Sequence, residues 1–228
     1  MIASNALQRT FQLRFAGIMG TCFTIDVDDR QYLCTAKHCV KSYTCGPIDL
    51  FHDKKWKAVD VELVGYGTEN TDIAILAPTK QLSPSHPLPA DHKNLILGQD
   101  VYFLGFPFGL RSEAGELNRQ FPLPLVKRAT VSAMWFFDGP QRVLLLDGHN
   151  NPGFSGGPVV FAPAGKPATQ PRVAAVVSAF RYHAQPVLLH DKETELAIRE
   201  NTGIIITYAI EHAVEAIKSN PIGAKIVA

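Results

Sequence analysis

Three short stretches hold the residues that could do chemistry: "LCTAKHCV" with His38, "NTDIAILAP" with Asp72, and "DGHNNPGFSGGPVV" with Ser155. A serine hydroxyl is a weak nucleophile until a base takes its proton, and histidine is the side chain most often used for that. A carboxylate beside the histidine fixes its tautomer and steadies the imidazolium. Asp72 heads a strongly apolar run, where an ionised carboxylate is costly unless something pairs with it. Ser155 is flanked by Gly153, Gly156 and Gly157, which let a chain turn sharply and a substrate approach closely. Backbone N–H groups in such a turn can face a developing oxyanion. Each residue has a plainer reading: one surface histidine among 8, an aspartate capping a turn, a serine in a turn. Together, in the order His, Asp, Ser, they predict acyl transfer through a covalent intermediate.

Something rigid must bring these distant residues together. Short apolar runs rich in β-branched and aromatic residues recur along the chain: "FTIDV", "YLCTA", "KAVDVELVGY", "DIAILAP", "DVYFLGFP", "ATVSAMWFF", "RVLLLD", "GGPVVF", "RVAAVVSAF" and "GIIITYAI". Most are too short for amphipathic helices, and Gly and Pro turns separate them, so the pattern predicts an all-β sandwich or barrel. The proline-rich stretch "QLSPSHPLPADHK" reads as a connector. The expected division is 1–82 for a first unit carrying His38 and Asp72, 83–94 for the linker, and 95–228 for a second unit carrying Ser155. "GLRSEAGELNRQFPLPLVK" reads as a surface loop bordering the site, and "PAGKPATQP" as an exposed turn. Ile210, Ala213, Val214 and Ile217 fall at helical spacing, with Glu211, His212, Glu215 and Lys218 directed elsewhere. That predicts a terminal helix on the second unit, followed by a loosely docked tail, "IGAKIVA".

Composition narrows the function further. The formal charge is +1, from 22 basic and 21 acidic residues, so there is no electrostatic footprint for nucleic acid or an anionic membrane. No stretch approaches a membrane span, and the start lacks the pattern of a secretory signal, so the expected location is the cytoplasm. There Cys22, Cys34, Cys39 and Cys45 are expected as free thiols. Their spacing lacks the paired hooks of a zinc site, and neither metal nor cofactor is expected.

"TAKHC", "TDIAIL" and "NPGFSGGP" resemble the histidine, aspartate and serine motifs of the trypsin/chymotrypsin-like serine peptidases, especially the bacterial branch similar to the HtrA (Deg) protease domain. "LGQDVYFLGFPFG" and "ATVSAMW" resemble the opening strands of that family's second barrel. The resemblance implies two six-stranded antiparallel β-barrels with the site between them. It implies Ser155 as nucleophile, His38 as base and then acid, Asp72 as orienting carboxylate, and the N–H groups of Gly153 and Ser155 as oxyanion hole. "VVSAF" and "ITYAI" look like the strands lining the specificity pocket, which assigns substrate contacts to His149, Asn150, Ser178, Ala179, Phe180 and Thr207. Ser178 matches the position whose hydroxyl supports the aspartate, with an ordinary strand serine as the alternative.

Several finer expectations follow from the resemblance. Side chains at Phe180 and Thr207 would narrow the pocket, and His149 near its base leaves no carboxylate for a substrate Lys or Arg. A small apolar residue is therefore expected before the cleaved bond, with an acidic residue drawn by the histidine as the alternative. The edge "SAFRY" suits an extended peptide substrate. Cys39 and Cys22 fall near places that form a bridge in secreted trypsins, and the chain has no room for the PDZ domain of HtrA proteins. Phe154 stands where those trypsins have an aspartate that receives a new N-terminal ammonium, so trimming the N-terminus is not expected to activate the enzyme. A segment from His149 to Phe154 that shifts between states, selected by a regulatory or sensor protein, is the alternative to a preformed site. The rival reading from another class is a protease-fold binding module with an inactive oxyanion hole.

Overall fold

The computed structural model describes residues 3–68, 70–136 and 141–227, with the backbone alone at Trp135 and Phe136. Met1, Ile2, Phe137 and Ala228, which belong to stretches read above, lie outside the described residues. A single helical turn, α1 (Ser4–Leu7), precedes six strands: β1 (Thr10–Phe15), β2 (Ile18–Val27), β3 (Arg30–Thr35), β4 (Gly46–His52), β5 (Lys55–Tyr66) and β6 (Ala74–Pro78). The second set is β7 (Asp100–Gly105), β8 (Leu125–Phe136), β9 (Arg142–Asp147), β10 (Pro158–Phe161), β11 (Arg172–Leu189) and β12 (Lys192–Ala209). Helix α2 (Glu211–Ser219) and a short strand, β13 (Ala224–Lys225), end the chain.

The first sheet runs β3-β2-β1-β4-β5-β6 and closes because β6 also pairs with β3. The second is a closed barrel in the order β10-β11-β12-β9-β8-β7. The fold is thus two antiparallel rings with a C-terminal helix. Closure leaves few exposed edges. Tight turns make it possible: Asp28 and Asp29 both take positive φ, 49° and 59°, the turn whose twist suits a hairpin.

Strand β6 explains why the run after Asp72 is apolar without alternation. Ile73, Ile75 and Ala77 pack into a core shared by the two rings, while Ala74 and Leu76 pack inside the first ring. Successive side chains point to opposite faces, and here both faces are dry. The second ring encloses its own cluster, with Val101, Phe103, Leu144, Leu146, Phe154 and Ile205.

Three expectations are corrected. Helix α2 does not rest on the second barrel alone: Ile210, Ala213 and Ile217 join the shared core, and Asn220 Nδ2 donates to Val64 O at 3.0 Å. Because the helix is covered from two sides, His212 is buried at 1% exposure, with Nε2 accepting from Arg142 N at 3.0 Å. The tail is not loose. Strand β13 pairs with Arg30 and Gln31 along the edge of β3 that β6 leaves free, and Ile226 N donates to Asp29 O at 3.0 Å. The third concerns the segment after Gly109, which clasps the first ring: Phe121 meets Phe11 edge-on at 4.8 Å and Arg119 O bonds to His52 Nε2 at 2.7 Å. Its last residues, from Leu125, already belong to β8.

Candidate active site

A 3₁₀ turn, Lys37–Val40, follows β3 and carries His38. Asp72 sits at the mouth of β6, and two bonds lock the pair: His38 N donates to Asp72 Oδ1 at 2.9 Å, and His38 Nδ1 meets Asp72 Oδ2 at 2.6 Å. Ser178, on β11, donates its hydroxyl to the same Oδ2 at 2.6 Å. The bond to Asp72 raises the His38 pKa from 6.5 to about 10, with a contact to Cys39 adding to it and partial burial opposing. For Asp72, burial pushes its pKa up, but the bonds from His38 and Ser178 outweigh it and hold the carboxyl below 3.8. A shallow cavity of about 350 Å³, lined by His38, Asp72, Lys37, Lys41, Ser42 and Tyr66, opens beside the imidazole.

Ser155 comes from the second ring. Phe154, immediately before it, is fully buried and meets Phe103 at 4.8 Å, so the neighbour of Ser155 is an anchor in the barrel core. The glycines answer two steric demands. Gly153 has φ +105°, and a Cβ there would lie 2.5 Å from Phe106 O; Gly156 has φ +83°, and a Cβ there would lie 2.1 Å from Thr21 O. Across the cleft, Thr21 N donates to Ser155 O at 2.8 Å and Thr21 Oγ1 to Gly153 O at 2.7 Å, so the first ring seats the serine loop directly.

Two backbone donors at this turn stay free. Phe108 N holds the Pro152 carbonyl at 2.9 Å, and Gly157 N holds the Phe154 carbonyl at 2.9 Å. A trans peptide points its N–H opposite its carbonyl, so the N–H groups of Gly153 and Ser155 face away from those bonds. Among the described residues neither donates to a protein acceptor. The Ser155 hydroxyl itself donates to Ser178 O at 3.0 Å rather than to His38.

The remaining expected contacts divide. Ala179 is exposed and Phe180 half-buried on the free side of β11, past the point where β10 stops pairing. Thr207 is sealed inside the barrel, its hydroxyl bonded to Leu144 O at 2.9 Å, so it offers no surface to a substrate. His149 is exposed and does not floor a pocket; Asn150 takes the buried position, 2% exposed, with Oδ1 unpartnered. All four cysteines are free thiols, with Cys22, Cys34 and Cys39 buried, and burial pushes the Cys22 and Cys34 thiols up. No cluster of metal-ligating residues occurs among the described residues.

The family model described as the trypsin-like peptidase domain matches residues 20–166, more than half of the chain. The chain belongs to the trypsin-like peptidase family. It is a serine protease of that family, a hydrolase, and resembles HtrA-type proteases in architecture. Among solved structures, an inactive form of Rv3671c from M. tuberculosis H37Rv aligns with TM-score 0.60 and 17% identity, covering 99% of this chain and 92% of that one. The HtrA-type protease AlgW, solved with a tripeptide, aligns with TM-score 0.60 and 20% identity over 95% of this chain and 61% of its own. A serine endoprotease from Yersinia pestis aligns with TM-score 0.58 and 19% identity over 95% of this chain and 64% of its own. The trypsin-like peptidase thus spans less than two thirds of each of the latter two. A comparison with curated proteins finds no match.

Proposed function

We propose that this trypsin-like peptidase is an endopeptidase in which Ser155 attacks the peptide carbonyl and His38 takes the serine proton, then gives it to the leaving amine. Asp72 holds the imidazole and stabilises its protonated form, and Ser178 orients the carboxylate. The N–H groups of Gly153 and Ser155 receive the oxyanion, and an acyl-enzyme forms before water releases the product. The observation that carries this reading is the pair of unsatisfied N–H donors at Gly153 and Ser155 in a protein whose His38 is already bonded to the Asp72 carboxylate.

Substrate binding follows from the same site. An extended peptide adds to the free edge of β11 at Ser178, Ala179 and Phe180. With Ile205 and Thr207 buried and Phe180 half-buried on the same edge strand, a small apolar residue before the cleaved bond is the proposed preference. The cytoplasm is the proposed location, and a partner protein acting on the loop from His149 to Phe154 the proposed regulator.

The bond from the Ser155 hydroxyl to Ser178 O favours the rival binding module, since the nucleophile is turned from its base. A rotation about one side-chain bond redirects it toward His38, and apo sites commonly tighten only with substrate. The deciding experiment is rapid-quench mass spectrometry of the enzyme with a peptide ester. An acyl adduct on the wild type, absent in Ser155→Ala, is expected; equal behaviour of the two proteins supports the binding module.

A further inference from the structure

The loop from His149 to Phe154 must hold the Gly153 N–H in place, yet Phe154 offers no carboxylate for an incoming ammonium. The structure supplies a cation from another direction. Lys127 lies on β8 opposite Phe103 of β7, and its ammonium passes over two rings, 6.0 Å from the centroid of Phe103 and 5.8 Å from that of Phe154. It ends on the loop, donating to the His149 carbonyl and, at 3.1 Å, to Asn151 Oδ1. Burial holds its pKa below the usual lysine value.

These contacts bracket the loop from outside while Phe154 pins it from inside. Asn151 O accepts from Phe154 N at 3.3 Å, so the residue gripped by the ammonium is also the start of the turn that delivers Ser155. A charged donor makes stronger hydrogen bonds than a neutral one, and the rings beneath add cation–π attraction. The sequence runs Asn151, Pro152, Gly153 toward the oxyanion donors, with the Pro152 carbonyl fixed by Phe108 N. Thr21 Oγ1 holds the Gly153 carbonyl and Asn201 Nδ2 the Asn150 carbonyl, but the His149 carbonyl and the Asn151 side chain share Lys127 as their donor.

The geometry points to Lys127 as a positioning residue for the oxyanion hole: a half-buried ammonium of the chain's own that clasps residues 149–151 and keeps the Gly153 N–H directed at the reacting carbonyl. This rests on the serine-protease mechanism proposed above. It makes Lys127 a determinant of transition-state binding rather than of substrate binding.

The test compares wild type, Ser155→Ala, Lys127→Met, Lys127→Arg and Asn151→Ala in steady-state peptide hydrolysis, in binding of a peptide aldehyde, and in thermal melts. The aldehyde forms a tetrahedral adduct on Ser155 and places an oxyanion in the hole. Lys127→Met is expected to lose about tenfold or more in kcat, the scale of one charge-assisted hydrogen bond, with KM nearly unchanged. Aldehyde affinity should fall in parallel, and Lys127→Arg should recover most of both. Asn151→Ala should show a smaller loss of the same kind, with no further loss when combined with Lys127→Met. A folded Lys127→Met enzyme with wild-type kcat and aldehyde affinity overturns the proposal. If that variant does not fold, an Asn151→Ala enzyme with unchanged kcat does so. A wild type no more active than Ser155→Ala overturns the parent mechanism instead, which separates the two failures.

Discussion

On the first-barrel side of the cleft, Asp72 accepts three hydrogen bonds at 2.6–2.9 Å from His38 and Ser178, and the imidazole stays 46% exposed. On the second-barrel side, Ser155 follows a fully buried phenylalanine and hangs from a turn in which glycines admit neighbouring backbone. One side is organised by polar bonds near solvent, the other by packing. The difference teaches that His38 and Asp72 bear on stability only through their hydrogen bonds, whereas around Phe154 chemistry is coupled to the packing of the core. Changes at His38 and Asp72 should stop hydrolysis at a modest cost in stability, and changes to the buried anchor Phe154 should weaken both strongly.

The largest effects come from removing the reacting groups. Ser155→Ala and His38→Ala should each lower kcat by up to about 10⁶-fold, read in peptide hydrolysis, with the melting temperature near wild type in Ser155→Ala and modestly lowered in His38→Ala, which gives up the imidazole bond to Asp72. A large fall in melting temperature would break the comparison. Asp72→Asn should cost about 10⁴-fold, because the amide favours the wrong histidine tautomer.

Asp72→Asn also sharpens the comparison through pH. Folding raises the His38 pKa from 6.5 to about 10, so its contribution to stability is complete below pH 6.5 and is lost as pH rises through about 10. Asp72 is depressed, so its contribution is present above 3.8 and is lost as pH falls through its lower folded value. The base must be neutral to act, so wild-type hydrolysis should climb with pH through the His38 titration. NMR titration of His38 should show the raised midpoint in wild type and a return toward 6.5 in Asp72→Asn. A midpoint unchanged by the substitution would mean that Asp72 is not its cause.

On the packed side, Phe154→Ala should destabilise the protein by about 3–5 kcal/mol in denaturant unfolding, with activity lost alongside. The smallest effect concerns the thiols. Cys39→Ser puts a hydroxyl where the buried thiol already reaches the Ser155 carbonyl at 3.6 Å and should change stability by no more than about 1 kcal/mol, while mild reductant should leave wild-type activity unchanged. Loss of activity under reductant would point to a bridge instead.

The ordering of these effects matches what the residues disclose before folding. His38, Asp72 and Ser155 stand out as candidates in the sequence because each sits in a local setting with its own signature, and the structure joins the first two by hydrogen bonds. The all-β fold was legible because most strands bury at least one apolar face. The ribbon beyond Ser178 was not: from Arg181 to Thr202 nearly every residue is exposed on both faces, so no period of two survives in the pattern. His212 was misread because a helix seen alone has one apolar face, whereas α2 lies between two barrels. Strand β13 pairs through only two residues, too few to leave a pattern. Thr207 and Lys127 depend on which strand lies opposite, a tertiary fact.

The N-terminus adds one constraint on how activation is studied. Arg9 is 1% exposed and binds Asp26 at 2.6 Å and His86 O at 2.8 Å, so trimming up to Phe11 removes a buried ion pair. Such a truncation should lower stability and give no gain in activity.

The central claim is that Ser155 is a nucleophile served by His38 and Asp72. Labelling with a fluorophosphonate probe, followed by peptide mapping, tests it most directly. Labelling of the wild type on Ser155 is predicted, with none in Ser155→Ala and strongly slowed labelling in His38→Ala. A wild type that resists the probe, or a label that persists in Ser155→Ala, would contradict the account.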